Sequence, residues 1–210
     1  MKFIKNYLQY NNLVSINYLS AKNLTLGYGN SIVIKNLALS LYDNKDYEVI
    51  GRNGAGKSTL LNFISNNFQG NKFDSKFEFK NLRILEISSE YTLIENLTLI
   101  ENCLYLTKNS VSVDSVDKVL SDYGMNHFKE DLIQKFSSGM IKRSELAIAH
   151  LINPEILCID EPLNYLDKDG SQLLIQLLEK RSNDTRSTIL SSQESLNLFK
   201  SDYETINLNV

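Results

Sequence analysis

From residue 13 to residue 42 the chain reads LVSINYLSAKNLTLGYGNSIVIKNLALSLY, in which Val, Ile, Leu and Tyr partly alternate with polar residues. A repeat of two sends every second side chain to one face of a strand. Gly27, Gly29 and Asn30 interrupt the pattern with turn-forming residues, so antiparallel strands joined at a turn are predicted. A short strand, YEVI, then meets GRNGAGKST, and in KSTLLNFISNN the apolar residues return at helical spacing. The order there is strand, glycine loop, helix. Farther on, SVDSVDKVLSDYGM and IKRSELAIAHLI set apolar side chains three and four apart, which predicts helices. The rest of the pattern is a strand at EILCI, a helix from about Gly170 to Lys180, a strand at STILSS and an extended end, YETINLNV. Strands alternating with helices after a β-rich start predict an α/β fold: a parallel-sheet core, an antiparallel β part before it and a helical insertion within it.

Two positions conflict with that pattern. Asp46 and Glu48 stand in the strand ahead of the glycine loop, where a parallel sheet buries both faces. They are expected either at an exposed strand start or paired with a base.

Composition narrows the class. A chain of 210 residues, 42% hydrophobic and 22% charged, suffices for one sizeable domain. Acids and bases are interspersed at a net charge of −3, which is not the footprint of a dedicated nucleic-acid binder. The only cysteines are Cys103 and Cys158, the latter inside an apolar run, so a disulfide framework is not expected and a reducing cytoplasm fits. The opening stretch MKFIKNYLQYNNLVSINYL is broken by Asn, Gln and Tyr, unlike a signal peptide. No uncharged apolar run reaches the roughly 18 residues that span a bilayer, so the chain is not expected to cross a membrane by itself.

The candidate chemistry is concentrated in two places. GRNGAGKS, from Gly51 to Ser58, fits G-x-x-x-x-G-K-[ST] and sits between a predicted strand and a predicted helix. Its glycines allow backbone N–H groups to curl inward around phosphate oxygens, and the helix start adds partial positive charge. Gly51, Asn53, Gly54, Ala55, Gly56, Lys57, Ser58 and Thr59 are the candidate nucleotide contacts, with Lys57 on the β- and γ-phosphates and Ser58 on Mg²⁺. In ILCIDEPLNYLD an apolar run stops at two adjacent carboxylates. Asp160 at the strand end suits a nucleotide-bound Mg²⁺, which prefers hard oxygen ligands, and Glu161 suits the polarising of an attacking water.

With FSSGMIKRSELAIAHLINPEILCIDEP between these two motifs, the chain from about residue 13 resembles the ATP-binding subunits of ABC transporters. The stretch is similar to that family's LSGGQ signature, in a Ser-x-Gly-Met form shared with many drug and peptide exporters. The resemblance implies a P-loop NTPase with a RecA-like parallel-sheet core. It divides the chain into an N-terminal extension, 1–12, and a single nucleotide-binding domain, 13–210, with a helical subdomain inserted at about 90–150. It implies ATP and Mg²⁺ as cofactors, and a composite site in which Ser137 and Gly139 of one subunit cap the γ-phosphate held by another. Asp167 matches an aspartate that communicates across that dimer, although capping of the following helix is an equally physical role for it. Tyr28 stands where the family places an aromatic on adenine; a core tyrosine is the alternative. The implied partners are a second nucleotide-binding domain and a transmembrane permease, and no nucleic acid, with the subunit peripheral on the cytoplasmic side of the membrane.

Two departures from the family matter. Its glutamine near Mg²⁺ and the attacking water corresponds here to Ser89, with Ser88 as the neighbouring alignment, and its γ-phosphate histidine corresponds to Gln193. Glutamine donates a hydrogen bond but carries no proton or charge, so turnover is expected to be slower than binding would suggest. The leading expectation is an ATPase subunit powering transport, with a lean to export; the alternatives are a regulatory ATP clamp that hardly hydrolyses and a soluble ATPase acting on ribosomes or DNA.

Overall fold

The computed structural model describes residues 17–73, 75–88 and 93–209. The N-terminal extension at 1–12 and Ser89 both lie outside them.

Two sheets form the frame. β1 (Asn17–Tyr28) and β2 (Ser31–Tyr42) are an antiparallel hairpin closed at Gly29 and Asn30. β4 (Asn71–Lys72) and β5 (Phe77–Phe79) add to the free side of β1. The second sheet is wholly parallel, in the order β6, β7, β8, β3, β9. Its strands are β3 (Asp46–Ile50), β6 (Ile84–Ile87), β7 (Ile156–Asp160), β8 (Ser187–Ser192) and β9 (Tyr203–Asn207). The parallel core and the antiparallel N-terminal part agree with the pattern read from the sequence. β4, β5 and β6 are additions: at two to four residues they are too short to show a period.

β7 shows how one strand serves two cores. Every residue of ILCID is buried. Ile156 and Cys158 pack with β1, β2 and helix α1 (Lys57–Ile64), while Leu157 and Ile159 pack with the helices on the other face. Those helices are α2 (Leu99–Leu106), α3 (Val113–Asp122), α4 (Ser138–Ile152) and α5 (Lys168–Asn183). The first three lie between β6 and β7 in the chain. Of EYTLIENLTL, only the final Leu99 is helical among the described residues; Glu95 and Asn96 form a turn.

Helix starts are fixed by side chains that accept the first free N–H groups. Thr98 and Glu101 form a reciprocal capping box on α2. Ser112 caps α3, Ser137 caps α4 and Asp167 caps α5. At its other end α4 stops on Asn153, which adopts the left-handed conformation ahead of Pro154.

Asp46 and Glu48 correct the expectation of an exposed strand start: both are buried. Asp46 accepts the Thr188 N–H at 2.8 Å and the Ser201 hydroxyl at 3.3 Å. Glu48 accepts the Ser195 hydroxyl at 2.6 Å and the Leu196 N–H at 3.3 Å. Backbone and hydroxyl donors therefore do most of what a base was expected to do. Arg181, itself buried, adds a favourable charge near Asp46 while donating to Thr188, Ser187 and Pro154.

Burial pushes the Asp46 carboxyl up from 3.8 to about 6, against the pull of the Thr188 N–H, the Ser201 hydroxyl and Arg181. The folded group keeps its proton to a higher pH than the unfolded one, so its contribution to stability is full below about pH 4 and is lost as pH rises through 6. Asp46→Asn retains an acceptor without the charge. It is expected to gain about 1.4 kcal/mol on the parent between pH 5 and pH 7.5, the worth of the one pKa unit that separates pH 5 from the folded value, read from paired urea melts at the two pH values.

Candidate nucleotide site

The C-terminal ends of β3, β7 and β8 lie side by side, and the loops leaving them build the site. Gly51 N–H donates to Ser192 O at 3.2 Å, and Glu161 N–H donates to Ser191 O at 3.0 Å. These two bonds fix the phosphate loop and the Asp-Glu pair to the same strand, β8.

The loop from Gly51 to Gly56 curls because two of its residues take a positive φ, Gly54 at 81° and Gly56 at 99°. A side chain at Gly56 would come within 2.9 Å of Val33 and Ile34, so this glycine also allows β2 to lie close. Around the loop opens a cavity of about 490 Å³ lined by Val33, Asn53, Gly54, Gly56, Lys57, Ser58, Thr59, Asp160 and Glu161. Gly51 is buried and Ala55 half-buried in the same loop, and neither is among the residues that line the cavity. Lys57 is buried and folds back onto the loop, donating to Gly51 O at 2.9 Å, with its ammonium 3.5 Å from Glu161.

Ser58 donates to Asp160 Oδ2 at 2.5 Å, and Ser191 donates to Asp160 Oδ1. A hydroxyl oxygen and a carboxylate in contact at the head of a helix are the hard donors that Mg²⁺ takes, so these residues fit the ion. Glu161 stands one residue on at φ 45°, a left-handed conformation that turns the chain sharply out of β7; Asn164 N–H closes the turn onto Glu161 O at 3.0 Å.

Other candidates lie outside this cavity. Tyr28 ends β1 with its ring 48% exposed and edge-on to Phe68 at 5.4 Å. Ser137 is exposed; it accepts the Met140 N–H at 3.3 Å. Gly139 lies against the Tyr165 carbonyl, where a Cβ would sit 3.0 Å from the oxygen. Asp167 accepts the Gly170 N–H at 2.8 Å and pairs with Arg143 at 2.6 Å, and these two partners lower its pKa. Gln193 is exposed at the end of β8, next to the Ser191 and Ser192 carbonyls that hold Glu161 and Gly51.

A smaller cavity of about 80 Å³ is also lined by Asp160 and Glu161, and Ser88, the neighbouring alignment of the family's glutamine, lies on its wall. Lys142 and Glu145, which the sequence reading did not single out, line it too. Lys142 is buried; desolvation lowers its pKa, while Glu145 and Asp160 act to raise it. The signal for it was a lysine on the apolar face of a predicted helix. For Ser191 it was a central strand, STILSS, that carries hydroxyls at four of its six positions.

A glycine loop capping a helix beside a strand that ends in two carboxylates defines a P-loop nucleotide-binding protein. Residues 34–164 match the ABC transporter family. The chain is 30% identical over 182 residues to the zinc import ATP-binding protein ZnuC of Buchnera aphidicola subsp. Baizongia pistaciae, covering 86% of this chain and 76% of that one. It is 29% identical over 181 residues to the lantibiotic transport ATP-binding protein SrtF of Streptococcus pyogenes, at 83% and 79% coverage. Among solved structures, the dimeric ATP-binding cassette MJ0796 bound to ADP and Pi superposes with a TM-score of 0.72 at 23% identity, covering 86% of this chain and 89% of that one. The chain belongs to the ABC transporter family, as an ATP-binding subunit and an ATPase. Among the described residues no helix is long and apolar enough to cross a membrane.

Lys142 gives the site a measurable dependence. Replacing it by methionine withdraws a buried cation whose attraction to Glu145 and Asp160 is opposed by its own desolvation, so the net change in stability is expected to be small, about 1 kcal/mol. Urea melts of Lys142→Met check it.

Proposed function

We propose that this subunit binds Mg²⁺-ATP in the cavity around Lys57 and works as one of a pair of cassettes, homo- or heterodimeric, that close on the nucleotide. The pair docks on a separate transmembrane permease at the cytoplasmic face of the membrane and drives transport, and the Ser-Ser-Gly-Met form of the signature supports export. The observation that carries this reading is the convergence of Lys57, Ser58, Asp160 and Glu161 on one glycine-rich cavity. Exposure of Ser137, and its absence from the residues lining that cavity, supports a signature that serves a second copy's nucleotide.

In this reading the backbone N–H groups of Asn53 to Thr59 receive phosphate oxygens, and Lys57 leaves Gly51 and Arg52 to meet them. Ser58 and Asp160 would hold Mg²⁺, which supplies charge neutralisation on the phosphates. Glu161 orients and polarises the attacking water. Gln193 donates a hydrogen bond toward the γ-phosphate, Ser137 and Gly139 cap it from the partner, and Asp167 lies at the same junction. The Tyr28 ring, open to solvent on the hairpin that also supplies Val33, stacks on adenine. The segment from about 90 to 150 forms the subdomain that meets the permease.

Calorimetry with saturating Mg²⁺-ATP tests the reading at its root: absence of binding heat defeats it. Glu161→Gln is expected to retain ATP and to lower phosphate release by about 10²-fold or more, the usual worth of a positioned base. Gln193→His is expected to raise turnover in the assembled complex by about 10- to 10³-fold, by analogy with restoring a transition-state donor; an unchanged rate refutes the role given to Gln193. Tyr28→Ala is expected to weaken ATP binding by about 5- to 150-fold, the range set by losing about 1 to 3 kcal/mol of stacking, with the fold intact by circular dichroism.

A further inference from the structure

Glu48 takes no part in the chemistry above, yet it lies on the strand that runs directly into the phosphate loop. Its side chain is fully buried in β3, between Leu190 of β8 and Thr205 of β9 in register. A carboxylate in such a place is costly unless its oxygens are taken up by donors. Both oxygens are taken up by one short segment. The Ser195 hydroxyl donates to Oε2 at 2.6 Å and the Leu196 N–H to Oε1 at 3.3 Å.

That segment, residues 193–202, contains neither helix nor strand, so side-chain contacts hold it in place of a backbone ladder. Tyr203 steadies it by donating to Asn197 Oδ1 at 3.1 Å, and Ser201 reaches Asp46 on the same strand as Glu48. Gln193 is its first residue. On its N-terminal side Ser192 O is fixed by the Gly51 N–H, and on its C-terminal side Ser195 and Leu196 are fixed by Glu48. Two anchors of Gln193 thus belong to β3 and the loop it feeds; a third, the Ser192 hydroxyl donating to the Glu194 carbonyl, is local to the end of β8.

We propose that Glu48 is a positioning residue for ATP turnover: by holding Ser195 and Leu196 to β3 it sets where the Gln193 amide stands relative to the phosphate loop. It does so without touching nucleotide, and the inference rests on the reading of Gln193 as the residue that faces the γ-phosphate. The carboxylate suits the task because it accepts two bonds at once, one from a hydroxyl and one from the backbone. An apolar side chain there would leave the Leu196 N–H and the Ser195 hydroxyl without their acceptor and release the segment.

The test uses the full-length chain with Glu48→Ala, Glu48→Gln, Gln193→Ala and the double variant Glu48→Ala/Gln193→Ala. Three quantities are read: ATP affinity by calorimetry, phosphate release at saturating Mg²⁺-ATP, and amide hydrogen exchange at Leu196. Glu48→Ala is expected to leave ATP affinity unchanged and to lower turnover by about 10- to 100-fold, since a ~1 Å misplacement costs on the order of 10²-fold. Leu196 exchange is expected to quicken by about tenfold or more. Glu48→Gln, which keeps an acceptor, recovers most of the turnover. The double variant is no slower than Gln193→Ala alone, because the two residues act as one unit.

Losses that multiply in the double variant, or an ATP affinity that falls as far as turnover, overturn the proposal and leave the role of Gln193 standing. Parental turnover in Gln193→Ala overturns that role and the proposal with it. Should Glu48→Ala fail to fold, Ser195→Ala removes the donor and leaves the buried acceptor its Leu196 bond. It carries the same comparison with a smaller loss.

Discussion

The Asp160 carboxylate, caught between the hydroxyls of Ser58 and Ser191, is the contact on which the rest of the site depends. It joins the first turn of α1 to the ends of β7 and β8, three elements distant in sequence. Because Asp160 is almost fully buried, those bonds form where water competes poorly and they strengthen accordingly. The sheet fixes the heights of the strand ends, and this carboxylate fixes the glycine loop against them. Open parallel sheets place ligands at the carboxyl ends of their strands, and this molecule realises that rule through two serines and one aspartate.

The same economy runs through the interior. Five parallel strands bury Ser187, Thr188, Ser191, Ser192, Asp46 and Glu48, a polar load for a central sheet. Arg181 absorbs part of it with three bonds to β8 and the turn before β7. The segment after β8 takes up Asp46, Glu48 and Ser192, while Ser191 donates to Asp160 and Ser187 to the Lys45 carbonyl. Polar groups that would destabilise an apolar core thus become the fasteners of the loops that carry the chemistry.

Contiguous features were legible in the sequence because their physics is local. The hairpin at Gly29, the strand at EILCI, the helix from α4 and the glycine loop each declare themselves within a dozen residues. Asp160 and Glu161 gained meaning only beside that loop. What was not legible depends on partners far along the chain. Asp46 and Glu48 looked like misfits because Thr188, Ser195 and Ser201 come much later, and no period announces a hydroxyl waiting under a sheet. Lys142 was hidden in the same way: helical spacing places it on the inner face, but only the fold sets Glu145 and Asp160 around it. β4 to β6 escaped notice because their pairing, and not their composition, makes them strands.

The Arg143–Asp167 ion pair has a mechanical consequence. Arg143 rides on the helix that Ser137 begins, and Asp167 starts the helix that follows the turn out of Glu161. The Tyr165 carbonyl against Gly139 adds a second weld between the same two stretches. The turn that leaves β7 through Glu161 is therefore tied at two points to the first turns of α4, so that these two stretches are held as one piece rather than joined by a slack connector.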